Sequence, residues 1–179
     1  MKLKTSIILS TTAMALSTPV FANPIWDLYA GATVGAGAQT VFADDHDATN
    51  AAQSFGAMFG VDIPAFRIEA EYNYLNETDT YAHLTLVNAY FKMPSTVIKP
   101  YLGLGVGIMM NGKNEKYDVK FDTTPAYQGM LGVTLDVPRL PFKFDVEGRA
   151  IYMPDVYKMA DIEPDILHYE ARVKIRYIF

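Results

Sequence analysis

Three alternating stretches hold much of the ionisable chemistry of this chain. In "FRIEAEYNY" Arg67, Glu69 and Glu71 stand two residues apart. In "FKFDVEGRA" the same spacing carries Lys143, Asp145, Glu147 and Arg149, and in "HYEARVKIRYIF" it carries Glu170, Arg172, Lys174 and Arg176. Opposite charges at this spacing can pair and hydrogen-bond into a network where two such faces meet. Reactive chemistry has less to draw on. Hydrolysis through a nucleophile needs a base and an acid aligned behind a hydroxyl or thiol. Past residue 22 the serines are Ser54 and Ser95, and His46, His83 and His168 form no recognisable motif with either. "ADDHDATN" offers Asp44, Asp45, His46 and Asp47 as hard ligands, but the spacing fits no calcium loop. Asp155 and the "MADIEPD" segment, with Asp161, Glu163 and Asp165, read the same way, as solvated acidic loops. No catalytic residue, cofactor or metal site is expected.

Residues at a period of two share one face of a β-strand, whereas a helix would mix them on every turn. Opposite the charges stand Phe66, Ile68, Ala70, Tyr72 and Tyr74 on one strand, and Phe142, Phe144 and Val146 on another. On the last strand Leu167, Tyr169, Ala171, Val173, Ile175, Tyr177 and Phe179 take that place. Two further strands are glycine-lined. "YAGATVGAG" sets Tyr29, Gly31, Thr33, Gly35 and Gly37 against Leu28 and small apolar residues, and "YLGLGVGIMM" sets Gly103, Gly105 and Gly107 against Leu102, Leu104, Val106 and Ile108. Neither matches a nucleotide loop that opens a helix. Glycine at period two empties one strand face, which in a narrow barrel makes room for long charged side chains from other strands. "SFGAMFGVDI" and "AYQGMLGVTLDV" alternate likewise. "YAHLTLVNAYF" is irregular, because Leu84 and Leu86 share parity with Asn88 and Tyr90; either a bulge near Thr85 or a loop continuing over the outer half would reconcile them.

Composition narrows the class. The 179 residues suggest one domain, half of them hydrophobic, with a formal charge of −5 and no cysteine. A basic stripe for nucleic acid is missing, and so is any disulfide or thiolate metal framework. Lys2 and Lys4, the apolar run from Ile7 to Leu16 and the "PVFA" ending at Ala22 have the layout of a cleaved secretory signal peptide over 1–22. The mature domain is then 23–179. No later run approaches the ~20 apolar residues of a transmembrane helix.

Eight strands are expected, near 27–42, 53–63, 66–75, 81–92, 100–110, 126–137, 142–152 and 167–179. Their connections alternate between short turns at Pro64, Pro94 and Pro138–Pro141 and longer polar loops at 43–52, 111–125 and 153–166, with 76–80 a brief exception. Short turns on one side and longer loops on the other suit an antiparallel up-and-down transmembrane barrel. The alternative is a soluble sandwich, which would bury the apolar faces and wet the charged ones.

With its "YAGATVGAG" opening, "PYLGLGVGI" and "DVEGRA" strands and "RYIF" end, the chain resembles the small eight-stranded outer-membrane β-barrels of the OmpA, OmpX and opacity-protein kind. The resemblance spans the mature chain and implies a bacterial outer-membrane location. It also implies that Val173, Ile175, Tyr177 and Phe179 form the signal read by the barrel assembly machinery. The expected function is non-enzymatic: a structural or surface-interaction role through exposed loops, with outer-membrane lipids, lipopolysaccharide and host or cell-surface ligands as partners. A small or transient channel and a lipid A-modifying enzyme are the alternatives. The charged residues above are expected to fill the interior, with Glu147 and Arg149 paired to opposite charges among the inward residues of the last strand, Arg172 and Arg176 being the leading candidates.

Overall fold

The computed structural model describes residues 26–43, 46–77, 80–95, 97–114, 119–120, 123–137, 139–154, 156 and 165–179. The expected signal peptide, 1–22, lies outside the described residues. The described residues form nine strands: β1 (Asp27–Ala43), β2 (His46–Asp62), β3 (Phe66–Glu77), β4 (Thr80–Lys92), β5 (Ile98–Asn114), β6 (Val119–Lys120), β7 (Thr124–Asp136), β8 (Phe142–Met153) and β9 (Asp165–Ile178). The two-residue β6 pairs with the far end of β5. The other eight pair antiparallel with their neighbours, and β1 with β9 and β4 with β5 complete a closed barrel.

Turn chemistry sets one rim. Ile63 N–H donates to Phe66 O at 2.8 Å, Met93 N–H to Pro100 O at 2.8 Å and Leu140 N–H to Val137 O at 3.2 Å, so each chain reversal closes tightly beside a proline. Arg139 takes a positive φ of 72° in the last of these turns. Phe179 N–H donates to Leu28 O at 2.9 Å, which brings the end of β9 to this rim beside the start of β1. We call it the lower rim.

At the upper rim the strands run longer than expected. β1 and β2 are 17 residues each and stay in register from Asp27↔Asp62 to Ala43↔His46. Most of the expected loop at 43–52 is therefore paired strand, since uncharged residues such as Ala48, Thr49 and Asn50 accept the ladder. Asp44 and Asp45 lie outside the described residues, as do the side chains of His46 and Asp47. Asp155, Asp161 and Glu163 also lie outside them, whereas Asp165 opens β9 and accepts the Tyr152 hydroxyl at 2.6 Å.

The parity of β4 is a correction. No bulge occurs at Thr85; the alternation runs unbroken from Ala82 to Lys92, and the one register shift against β5 lies between Tyr81 and His83. Leu84 and Leu86 point inward because the upper part of the interior is apolar.

Polarity is inverted relative to a water-soluble domain. Val34, Phe55, Ile68, Val87, Leu104, Leu131, Val146 and Val173, one from each barrel strand, are 49–74% exposed on the outside. Arg67, Glu69, Asp145, Lys174 and Arg176 are fully buried inside.

Candidate functional site: the barrel interior

Eight strands leave a lumen that side chains can fill. Three glycines decide how they fill it. A Cβ on Gly35 would stand 2.7 Å from both Glu170 Oε2 and Ser54 Oγ, one on Gly132 would stand 2.6 Å from Tyr101 Oη, and one on Gly103 would stand 2.5 Å from the Tyr90 ring. The glycine faces of β1, β5 and β7 are thus the space into which the charges and tyrosines of the other strands extend.

Charges are arranged in tiers. At the lower rim Asp62 pairs with Lys92, accepts from Arg176 Nη1 at 3.1 Å and lies 3.4 Å from Lys143 Nζ. Above it, Arg176 grips Asp145 with two bonds, Nε at 2.6 Å and Nη2 at 2.9 Å, and Arg67 Nη1 donates to the same carboxylate at 3.3 Å. This fork geometry is the strong form of a carboxylate–guanidinium contact.

In the middle tier Lys174 Nζ stands 3.1 Å from both Glu69 Oε1 and Glu147 Oε2. Tyr29 and Tyr90 hydroxyls donate to Glu69 at 2.7 and 2.9 Å, and the Tyr101 hydroxyl donates to Glu147 at 2.9 Å. The Arg67 guanidinium lies 3.9 Å above the Tyr90 ring, a cation–π contact strengthened by the dry surroundings.

The next tier is a closed tetrad. Glu71 Oε1 accepts from Arg149 Nη1 at 3.2 Å and from Arg172 Nη1; Glu170 Oε1 accepts from Arg149 Nε at 2.6 Å and Arg172 Nε at 2.9 Å. Asn88 and Asn73 complete Glu71, and Ser54 and His168 complete Glu170. Every charge of the tetrad thus has an opposite-charge partner, which is what makes buried ions tolerable, although Arg149 Nη2 and His168 Nδ1 make no hydrogen bond of their own.

Above the tetrad the lining turns apolar. Leu75, Leu84, Leu86, Met109, Ile151, Met153 and Ile166 form one cluster, the last six of them at most 2% exposed. Two seals of opposite character therefore lie in series along the axis.

All eleven predicted interior charges point inward, Lys143 at the partly open lower rim and the rest buried. Glu147 is a correction in detail: its partner is Lys174, because Arg172, its register neighbour, is held by Glu71 and Glu170. Asp62, Lys92, Tyr29, Tyr90 and Tyr101 join the network beyond the expected residues. Parity alone puts each on the inner face. Val173 and Ile175 face outward, and Tyr177 packs between Phe142 and Phe179 at centroid distances of 5.3 and 5.4 Å.

No protein-family model and no curated protein matches the chain. Solved structures do. Neisserial surface protein A superposes with a TM-score of 0.60 at 16% identity, covering 83% of this chain and 96% of that one. The N-terminal β-barrel domain of Pseudomonas aeruginosa OprF gives 0.56 at 12% identity, covering 82% and 97%. The outer membrane enzyme PagL gives 0.54 at 12% identity, covering 79% and 97%. The fold is that of a small eight-stranded outer-membrane β-barrel.

Because an enzyme shares this architecture, the serines and histidines matter. Ser54, His168 and Glu170 do meet. Their order, however, is wrong for a charge-oriented nucleophile: Ser54 Oγ donates to Glu170 Oε2 at 2.6 Å and His168 Nε2 lies 3.1 Å from the same oxygen, so the carboxylate separates hydroxyl from imidazole. All three are at most 5% exposed, beneath the apolar seal. Ser95 sits in a lower-rim turn, and His83 is on the outer wall beside Tyr72.

Proposed function

We propose that this protein is exported to the bacterial outer membrane and acts there as a sealed, non-catalytic barrel, with a structural or surface-interaction role. The observation that carries this reading is the inverted polarity: an apolar wall on every strand around a charge-paired interior. Such a wall is stable against lipid, whose core demands that backbone polar groups pair within the protein, as a closed barrel allows. In this reading the lower rim, with its short turns, faces the periplasm, and the long upper hairpins face outward. Trp26, exposed just before β1, then marks the periplasmic interface. Outer-membrane lipids, lipopolysaccharide and surface ligands are the proposed partners, and the barrel assembly machinery is the proposed reader of Val173, Ile175, Tyr177 and Phe179. The paired charges and the apolar seal favour a plugged barrel over a steady pore, and the buried Ser54–Glu170–His168 arrangement favours a non-catalytic one.

Fractionation with gel analysis tests this directly. The mature protein should be found in the outer membrane and should migrate faster unheated than boiled, because a closed barrel resists detergent until heated. Recovery from the soluble periplasm without a heat-dependent shift would overturn the reading. Acyl release from lipid A by the purified barrel would overturn its non-catalytic part.

A further inference from the structure

Two hollows interrupt the apolar outer wall. The larger, of about 950 Å³, lies over β4, β5, β7, β8 and β9 and is lined by Ala89, Leu104, Leu131 and Ala150. The smaller lies over β1, β2 and β3, and among the described residues it alone has a polar side-chain pair, Tyr72 and His83, at its wall. Ala32, Ala57 and Tyr72 are register partners across β1, β2 and β3, and the row above them is Val34, Phe55 and Tyr74. Two alanines between larger neighbours leave a hollow of about 570 Å³, walled by Phe55, Tyr72 and Tyr74. The hollow is open on its outer side, so a stretch of one acyl chain can lie along its floor of Ala32 and Ala57.

A polar pair stands beside the hollow. Tyr72 Oη and His83 Nδ1 are 2.6 Å apart, and the imidazole lies among three tyrosine rings, with centroids 6.0 Å from Tyr72, 5.2 Å from Tyr74 and 6.2 Å from Tyr81. Either tautomer leaves a donor. If the phenol donates to Nδ1, the imidazole proton is on Nε2, which has no partner among the described residues; if Nδ1 donates, the phenol hydrogen is free. A tilted strand climbs roughly 2.5 Å per residue, so His83 stands roughly 20 Å above Phe91, the lower aromatic on the same strand face. That places the pair at the upper edge of the apolar band, at headgroup level. An interfacial girdle accounts for tyrosines there. It accounts for neither the imidazole nor the hollow beneath.

We propose that this wall seats one phosphorylated saccharolipid of the outer leaflet, with an acyl chain in the Ala32–Ala57 hollow and a phosphate oxygen on the Tyr72–His83 pair. The tyrosine rings then offer flat faces to the sugar. The proposal deepens the outer-membrane reading and rests on it for the identity of the leaflet.

Native mass spectrometry of the detergent-solubilised full barrel, with diphosphorylated lipid A added, tests it. One lipid A per barrel should be retained, and excess inorganic phosphate should not displace it. Tyr72→Phe and His83→Ala should each lower retention about tenfold, the effect of one lost hydrogen bond to a charged group. Ala57→Leu should also lower it by raising the floor of the hollow, while Val146→Leu, on the outer wall of β8 and lining neither hollow, should leave it unchanged. Equal retention by wild type and the first three variants would overturn the proposal. So would equal retention of dephosphorylated lipid A or of phosphatidylglycerol. A wild-type barrel that shifts on heating yet holds no lipid A overturns this inference alone; one that never shifts overturns the reading beneath it.

Discussion

The Arg172 guanidinium of β9 reaches past β1 and β2 to the Glu71 carboxylate of β3, where Arg149 of β8 also donates. Glu170 closes the ring by accepting from both arginines. Two cations and two anions thereby share one desolvated layer, and neither charge type has a surplus within it.

Removing one member should cost more than removing a pair. Glu71→Ala leaves two guanidiniums on Glu170 alone, and the expected loss is about 3–5 kcal/mol, typical of an uncompensated buried charge. Replacing Glu71 and Arg172 together by Met should recover most of that loss. Urea unfolding of the barrel in lipid vesicles measures both. A double variant no more stable than the single one would mean that the tetrad contributes through shape rather than charge.

Glu147 is predicted to couple to Lys174. Glu147→Ala should again destabilise by about 3–5 kcal/mol. In double-mutant cycles the Glu147–Lys174 interaction energy should exceed that of Glu147–Arg172, although Arg172 is the direct register neighbour. The reverse order would show that the diagonal contact is not the energetic one.

These partners mark the limit of what the sequence could reveal. Period-two alternation identifies the strands and their inner faces, because a one-residue slip would turn every charge towards the outside. It does not set the stagger between distant strands. Arg172 therefore reaches Glu71 rather than Glu147, while Glu147 turns to the diagonal Lys174. Leu84 and Leu86 were illegible for another reason. A uniformly polar interior makes them look misplaced, and only the assembled barrel reveals an apolar tier above the charges. The upper ends of β1 and β2 are not legible in the sequence because residues such as Thr49 and Asn50 suit a loop as well as a ladder.

Inner and outer glycines should respond differently to a side chain. Gly35→Val would drive Glu170 and Ser54 from their contacts, whereas Gly129 faces outward with nothing within 4 Å of an added Cβ. The first change should destabilise by about 1–3 kcal/mol, as overpacking does. Gly129→Val should be neutral or stabilising. Temperatures of heat-modification for the two variants give the comparison, and equal temperatures would refute the space-making role of Gly35.

Phe179 ties the last strand to the first through its backbone bond to Leu28 O, and its ring lies against Tyr177. Phe179→Asp should reduce insertion into the outer membrane several-fold while secretion across the inner membrane continues. Cell fractionation distinguishes the two steps. Unchanged outer-membrane levels would refute a role for this residue in the proposed assembly signal.

The two seals in series make a prediction about permeation. Ions crossing the lumen would have to part the paired charges and then pass the apolar cluster around Leu84, Leu86, Ile151 and Met153. Opening one barrier leaves the other, so the unmodified barrel, Leu86→Ala and Glu147→Ala should each give no large, steady conductance in a planar bilayer. Combining Leu86→Ala with Glu147→Ala thins the apolar layer and leaves Lys174 without one of its two nearest carboxylates. Openings should then appear, selective for anions because the surplus charge is positive. A steady pore in the unmodified barrel would mean that the interior is hydrated and that neither layer is a seal. Silence of the double variant, in a barrel that still shifts on heating, would mean that one layer alone suffices.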